Sequence, residues 1–218
     1  MKKFVKIALS LLTAATVFSA GVAYSQFWNE TPPVVHLTKA EIDSIYNALP
    51  DVSRNQDQPA FITDLGPYNL GLNTQHRATA EENSDPKSGV LFHSRSTEVY
   101  YIVEGAGTLT TVDGAMTPVK MRNFSKEENY KRLTDTTLQF NAPSGFATFT
   151  GTPVERRFGP DDILIIPPNT GHWLSKIDGK YVRYLVFRID PYRTMPAGYV
   201  NPLFRQQGKT TPAQLGPR

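Results

Sequence analysis

The chain contains no cysteine. That excludes a disulfide framework, a thiolate nucleophile and a zinc–thiolate site. Surplus charge is also missing. The full sequence has 23 Lys+Arg and 20 Asp+Glu. With Lys2, Lys3 and Lys6 of the first segment set aside, the two signs balance at 20 each. Charge therefore gives no case for nucleic acid as a partner. No segment beyond the first 25 residues is apolar enough to cross a membrane, and helical periodicity is scarce.

The first segment has its own pattern. Lys2, Lys3 and Lys6 precede an apolar run from Ile7 to Val17, followed by small residues. Phe18-Ser19-Ala20 and Ala23-Tyr24-Ser25 are two cleavage signals, the second placing the mature N-terminus at Gln26. This is the layout of a secretory signal peptide over 1–25. A permanent anchor is the alternative, but the run is short for about 30 Å of hydrocarbon. The expected location is periplasmic or secreted, with no membrane attachment after cleavage.

Residues 26–58 read as an N-terminal extension with one short helix. Thr38 and Glu41 form a capping box, Ile42, Ile45, Tyr46 and Leu49 follow at helical spacing, and Pro50 ends the run. The polar face of this helix is not basic, so it is expected to seal an open barrel end or a dimer seam rather than bind a membrane. From there the period changes to two. Strands are expected at 61–63, 70–76, 90–95, 99–104, 108–112, 146–149, 154–158, 163–166, 172–177 and 181–189. Gly105-Ala106-Gly107 and Asp113-Gly114 read as tight turns. Residues 121–144 read as an insertion over a barrel mouth, and 191–218 as a tail. Many short strands behind one helix predict an all-β sandwich or barrel over 59–190.

Two segments carry chemistry. The first reads Leu91-Phe92-His93-Ser94-Arg95-Ser96-Thr97-Glu98 and continues to Gly105. The second reads Asp161-Asp162-Ile163-Leu164-Ile165-Ile166-Pro167-Pro168-Asn169-Thr170-Gly171-His172. Together they resemble the two motifs of the cupin superfamily, in the manner of small bacterial single-domain cupins. His76-Arg77 and His172-Trp173 add to that likeness. Leu91 stands where the family's first histidine is found. Asp161 and Asn169 replace two glycines, a cheap departure because Asp and Asn best tolerate positive φ. The resemblance implies a double-stranded β-helix, or jelly-roll, barrel. It also implies a ligand set of His93, Glu98 and His172 for a divalent ion.

Parity alone supports that set. His93 and Leu91 share one strand face, and Glu98 opens the next strand, so a hairpin returns its carboxylate toward His93. Two imidazoles and a carboxylate suit Fe, and also accept Mn, Ni, Co or Zn. His76 shares a face with Leu70 and Leu72, read as the barrel interior, and is a candidate fourth ligand in place of Leu91. The bland alternatives are a metal-free hydrogen-bonded cluster, and for His76 a satisfied core histidine. Arg95 shares a face with His93 and either holds a substrate carboxylate or forms a rim ion pair. Tyr100 faces inward as wall or substrate contact. Trp173, Tyr184 and Phe187 read as surface packing, His36 as structural or exposed, and Arg156, Arg157, Arg183 and Arg188 as solvated faces. The expected function is that of a metal-dependent enzyme on a small organic molecule, of dioxygenase, isomerase or lyase type. The alternative is a non-catalytic module binding a small molecule or metal. A homodimer is an open partner expectation.

Overall fold

The structure is a computed structural model that describes residues 35–48, 58–78, 89–112, 116–122, 144–195 and 197–201. These lie within one unit, Val35–Arg218. The expected signal peptide, residues 123–143 of the expected insertion and residues 202–218 of the tail lie outside them.

Among the described residues, one helix, α1 (Lys39–Ala48), precedes nine strands: β1 (Gln58–Asp64), β2 (Asn69–Arg77), β3 (Val90–His93), β4 (Thr97–Val112), β5 (Met116–Arg122), β6 (Ser144–Phe149), β7 (Pro153–Phe158), β8 (Ile163–Ile166) and β9 (Gly171–Asp190). The strands are antiparallel and curl into an all-β jelly-roll. The capping box forms as read. Thr38 N donates to Glu41 Oε2 at 2.7 Å, and Glu41 N donates back to Thr38 Oγ1 at 3.3 Å.

Two long strands build both layers. The first half of β4 pairs with the second half of β9, from Thr97↔Ile189 to Glu104↔Arg183. β8 flanks this pair on one side, and β2 followed by β1 on the other. The second half of β4 pairs with the first half of β9, from Ala106↔Asp178 to Val112↔Gly171. Here β7 lies on one side, and β3, β6 and β5 extend the other. Each long strand therefore crosses from one layer to the other. This corrects the expected turn at Gly105-Ala106-Gly107, where the chain bends without reversing. Register shifts fall at Ile102/Glu104 and Glu104/Ala106. Gly105 takes φ 85°, and a Cβ there would meet Tyr181 O at 2.4 Å. A Cβ at Gly107 would meet Lys176 O at the same distance. The glycines admit the neighbouring backbone of β9 at the bend.

Between the layers lie Tyr100, Ile102, Leu109, Phe158, Ile166, Leu174, Val182, Tyr184 and Val186. On the outer side of the first layer, Ile45 of α1 packs with Phe61, Leu72, Leu185 and Val200, flanked by Ile42 and Phe187. The helix thus covers an outer sheet face rather than a barrel end, which corrects that expectation. The physical reason is that β2 is buried on both faces. Its more apolar face needs a cover of its own, and α1 supplies the apolar stripe. No helix among the described residues is long and apolar enough to cross a membrane.

Candidate metal centre

The site is assembled across the two layers. His93 ends β3 and comes from the second layer. Asn169 N donates to His93 O at 2.7 Å, tying the end of β3 to the turn before β9. Asn169 takes φ 61° and Asp161 takes φ 68°. The two residues that replace the motif glycines thus adopt the left-handed backbone expected of them. His172, the second residue of β9, stands opposite Leu91 on β3 and Thr111 on β4. Opposed residues share a face, so Leu91 and His172 both turn inward. Glu98, the second residue of β4, comes from the first layer, opposite Arg188 and Ile166.

The three side chains converge. His93 Nε2 lies 3.3 Å from Glu98 Oε1, and His172 Nε2 lies 3.2 Å from Glu98 Oε2. One donor atom from each falls within 4.8 Å of the others. All three residues are buried. His172 Nδ1 donates to Thr170 O at 2.9 Å, which turns Nε2 toward the carboxylate and orients the ring as a ligand requires. Two imidazole nitrogens and a carboxylate within one buried cluster fit a divalent ion.

The carboxylate has two further partners. Arg188 Nε donates to Glu98 Oε1 at 2.6 Å, and Tyr100 Oη donates to Oε2 at 3.1 Å. With its amide oriented to satisfy both ends, Asn73 accepts from Arg188 Nη1. Burial by itself would raise the Glu98 carboxyl. The charges of His93 and Arg188, with the hydrogen bond from His172, outweigh it and hold the group well below the ordinary carboxylate range. Glu98 is thus an anion inside the barrel. The Tyr100 ring lies edge-on to His172 at 6.4 Å and 4.9 Å from Tyr184.

Several readings from the sequence change here. His76 is not part of the cluster. It opposes Arg183 on β9, on the face that carries Leu72 and Phe187 beneath α1. Its Nδ1 accepts from Arg183 Nε at 3.1 Å, and its ring stacks on Tyr181 at 4.8 Å. The face of Leu70, Leu72, Thr74 and His76 is the outer one. Asn73 and Gln75 face inward with Val186 and Tyr184, their partners on β9. Alternation identifies two faces but cannot say which is inside when both are buried. Arg95 is exposed, its guanidinium 5.1 Å from the Tyr192 ring, so it lies outside the buried cluster.

Arg188 is the third change and the residue missed. It is 2% exposed and pairs with a carboxylate ninety positions away. The available signal was parity, since Val182, Tyr184, Val186 and Arg188 share one face. A cation ending an apolar row needs an anion nearby. Tyr184 lies in the interior core rather than on a barrel surface, and Arg183 is half-buried between Tyr46, Tyr181 and Glu104. Arg156, Arg157 and His36 are exposed as read, and Trp173 packs with Val90 and Val112 on the outer side of the second layer.

The known proteins similar to this chain are remote. No family model and no curated protein matches the chain. Among solved structures, a Bacillus halodurans protein shares 12% identity with a TM-score of 0.39, over 80% of this chain and 96% of its own. A cupin protein of Bacteroides fragilis shares 14% with a TM-score of 0.30, over 60% and 72%. An oxalate decarboxylase of Lactobacillus farciminis, in complex with formate, shares 14% with a TM-score of 0.34, over 63% and 32%. With identities of 12–14% and TM-scores of 0.30–0.39, these likenesses carry no argument about the reaction.

Proposed function

We propose that this is an exported cupin-type protein whose His93, Glu98 and His172 hold a divalent ion, and that it acts as a metal-dependent enzyme on a small organic molecule. The observation that carries this reading is the convergence of three buried donor atoms within 4.8 Å of one another. The ion is Fe, Mn, Ni, Co or Zn, each of which accepts nitrogen and oxygen donors. Such an ion would supply Lewis-acid polarisation of a substrate oxygen, and iron would add redox chemistry with dioxygen. The reaction class is therefore dioxygenase-like oxidation, isomerisation or lyase chemistry.

The chain's own residues define what surrounds the substrate. Tyr100 is a hydroxyl donor at Glu98 Oε2. It is the side chain best placed to hold a proton or a substrate oxygen at that atom. Tyr184, Ile102, Val186 and Ile166 line the rest of the interior core and exclude water. A low-dielectric surrounding strengthens every charge interaction at the site.

A specific observation favours a second reading, a non-catalytic binding module. Leu91 turns inward beside His172, where a third imidazole would complete a stronger ligand set. Metal analysis of protein purified from the exported fraction, followed by dioxygen-uptake and isomerase screens, separates the two. Bound metal with turnover supports the enzyme, and bound metal with ligand capture and no turnover supports the module. A His93, Glu98 and His172 triple substitution with unchanged metal content would remove both. The mature N-terminus is proposed near Gln26, with Gly21 second, and intact mass of exported protein retaining Met1 would overturn export.

A further inference from the structure

Asp190 ends β9 on the inward row that carries Arg188, and the metal centre does not use it. It is fully buried. Its Oδ2 accepts from Thr194 Oγ1 at 3.1 Å and from Met195 N at 2.7 Å. Its Oδ1 has no hydrogen-bond partner among the described residues. Arg188, two positions back on the same row, donates to Glu98 and Asn73 instead. A buried carboxylate oxygen without a donor is costly.

Two neighbours repeat the pattern. Asn69 stands directly opposite Asp190 on β2, so the two side chains share a face, with Cβ atoms about 4.5–5.5 Å apart. Asn69 is buried, and its amide orientation is fixed, because Nδ2 donates to Met195 O at 2.7 Å. Its Oδ1 is therefore a second acceptor, and it too has no partner among the described residues. Ser96 precedes Thr97, which opposes Ile189, so the continuing register brings it alongside Asp190. It is also buried, with an unpartnered Oγ. A carboxylate oxygen and an amide carbonyl are both acceptors and cannot satisfy one another. Carboxylate, amide and hydroxyl oxygens gathered at one edge of the barrel, without nitrogen or sulfur, are the donor set of a hard cation.

We propose that Asn69, Asp190 and Ser96 form a second cation site, separate from the His93, Glu98 and His172 centre, which takes an alkali or alkaline-earth ion through oxygen. It does not depend on a metal at the histidines. The remaining atoms of the same residues give the ion a mechanical role. Asp190 Oδ2 and Asn69 Nδ2 hold the Met195 backbone at its N–H and its carbonyl. The Met195 side chain is buried with Ile62, and a Cβ at Gly71 would meet its Sδ at 3.1 Å. Beyond it the chain follows β1, where Gly198 N donates to Ile62 O at 2.8 Å and Ile62 N donates to Tyr199 O at 2.9 Å. An ion between Asp190 and Asn69 fixes both clamps and stiffens the strap that follows β9.

The test uses mature protein, treated with chelator and held in tetramethylammonium chloride, with sodium or calcium then added at constant ionic strength. One of these ions is expected to raise the thermal midpoint saturably, by about 3–6 °C at a tenfold excess over its dissociation constant. It is also expected to slow hydrogen exchange at the Met195 amide. A response to sodium assigns a monovalent ion that balances one carboxylate, and a response to calcium at lower concentration assigns a divalent one; either supports the site. The His93→Ala/His172→Ala variant is expected to keep the whole response. Asp190→Asn is expected to lose it, and to match or exceed the parent midpoint in ion-free buffer. Its new amide can donate to Asn69 Oδ1 while its oxygen still accepts from Met195 N. Should that variant fail to fold, Ser96→Ala carries the test, since it removes only an unpartnered hydroxyl and is expected to weaken ion binding several-fold. A midpoint independent of cation identity, as a bridging water would give, overturns the inference. So does a response that survives Asp190→Asn, is unchanged in Ser96→Ala, or disappears with the two histidines.

Discussion

Removing the Arg188 cation while leaving the Glu98 carboxylate in place tests the centre most directly. Arg188→Met keeps much of the side-chain volume and deletes the charge. Both partners are almost fully buried, so solvent screening gives little relief. Breaking a buried pair by removing one member costs about 3–5 kcal/mol, because the remaining charge is left uncompensated. Set against a typical domain stability of about 5–15 kcal/mol, that is a loss of roughly a fifth or more. The assay is urea unfolding in chelator-treated buffer, followed by circular dichroism. The companion Glu98→Gln/Arg188→Met double variant removes both charges, and should recover most of the loss, since a neutral pair of similar volume is often no less stable. Adding a divalent ion to Arg188→Met should also recover stability, about 2.7 kcal/mol at a hundredfold excess over the dissociation constant. In that variant the ion becomes the counter-cation of Glu98. A loss below about 1 kcal/mol for Arg188→Met, or a double variant no better than the single, would refute the claim that Glu98 is a buried anion held by Arg188.

Other outcomes follow from the same geometry. His93→Ala, Glu98→Ala and His172→Ala should each cut bound metal at least tenfold, whereas His76→Ala should leave metal content unchanged. Plasma emission analysis of the purified variants reads this, and metal loss in His76→Ala would restore the four-ligand set. Gly105→Ala should cost about 2–5 kcal/mol, combining the left-handed backbone with the clash against Tyr181 O. Gly159→Ala, with nothing within 4 Å, should change stability by less than about 1 kcal/mol in thermal unfolding. Metal-free protein should lose stability on acidification. The folded Glu98 carboxyl is held below its ordinary 4.5, so its contribution is present above that value and is lost as the pH falls toward the lowered one. A flat urea midpoint between pH 6 and roughly pH 3 would contradict the depressed carboxyl.

How much of this was legible beforehand depended on distance along the chain. The capping box of α1 involves Thr38 and Glu41 alone, and it forms as its four residues dictate. His93 and Glu98 are five residues apart across one connection, so strand parity and a short loop suffice to bring them together. Asp161 and Asn169 take positive φ because local backbone sterics leave few other residue types that can. His172 was legible only through the motif resemblance, and the structure places its Nε2 beside Glu98.

Facing and register were decided by the tertiary structure. Alternation along β2 separates Leu72, Thr74 and His76 from Asn73 and Gln75, but both rows are buried. Hydrophobicity then misassigns the interior, because α1 covers the apolar row and the polar row turns toward the charged cluster. The bend at Gly105–Gly107 looks like a hairpin turn in sequence. Only the approach of β9 shows why those glycines are there. Arg188 becomes the partner of Glu98 through the pairing of β4 with β9, a register that no local pattern contains. By itself the sequence determined the capped helix, most of the strand segments and the positive-φ positions Asp161 and Asn169, because those choices rest on sterics and hydrogen bonds between near neighbours. Which strand face is interior, and which distant charge meets Glu98, emerged only when two long strands paired and closed the barrel.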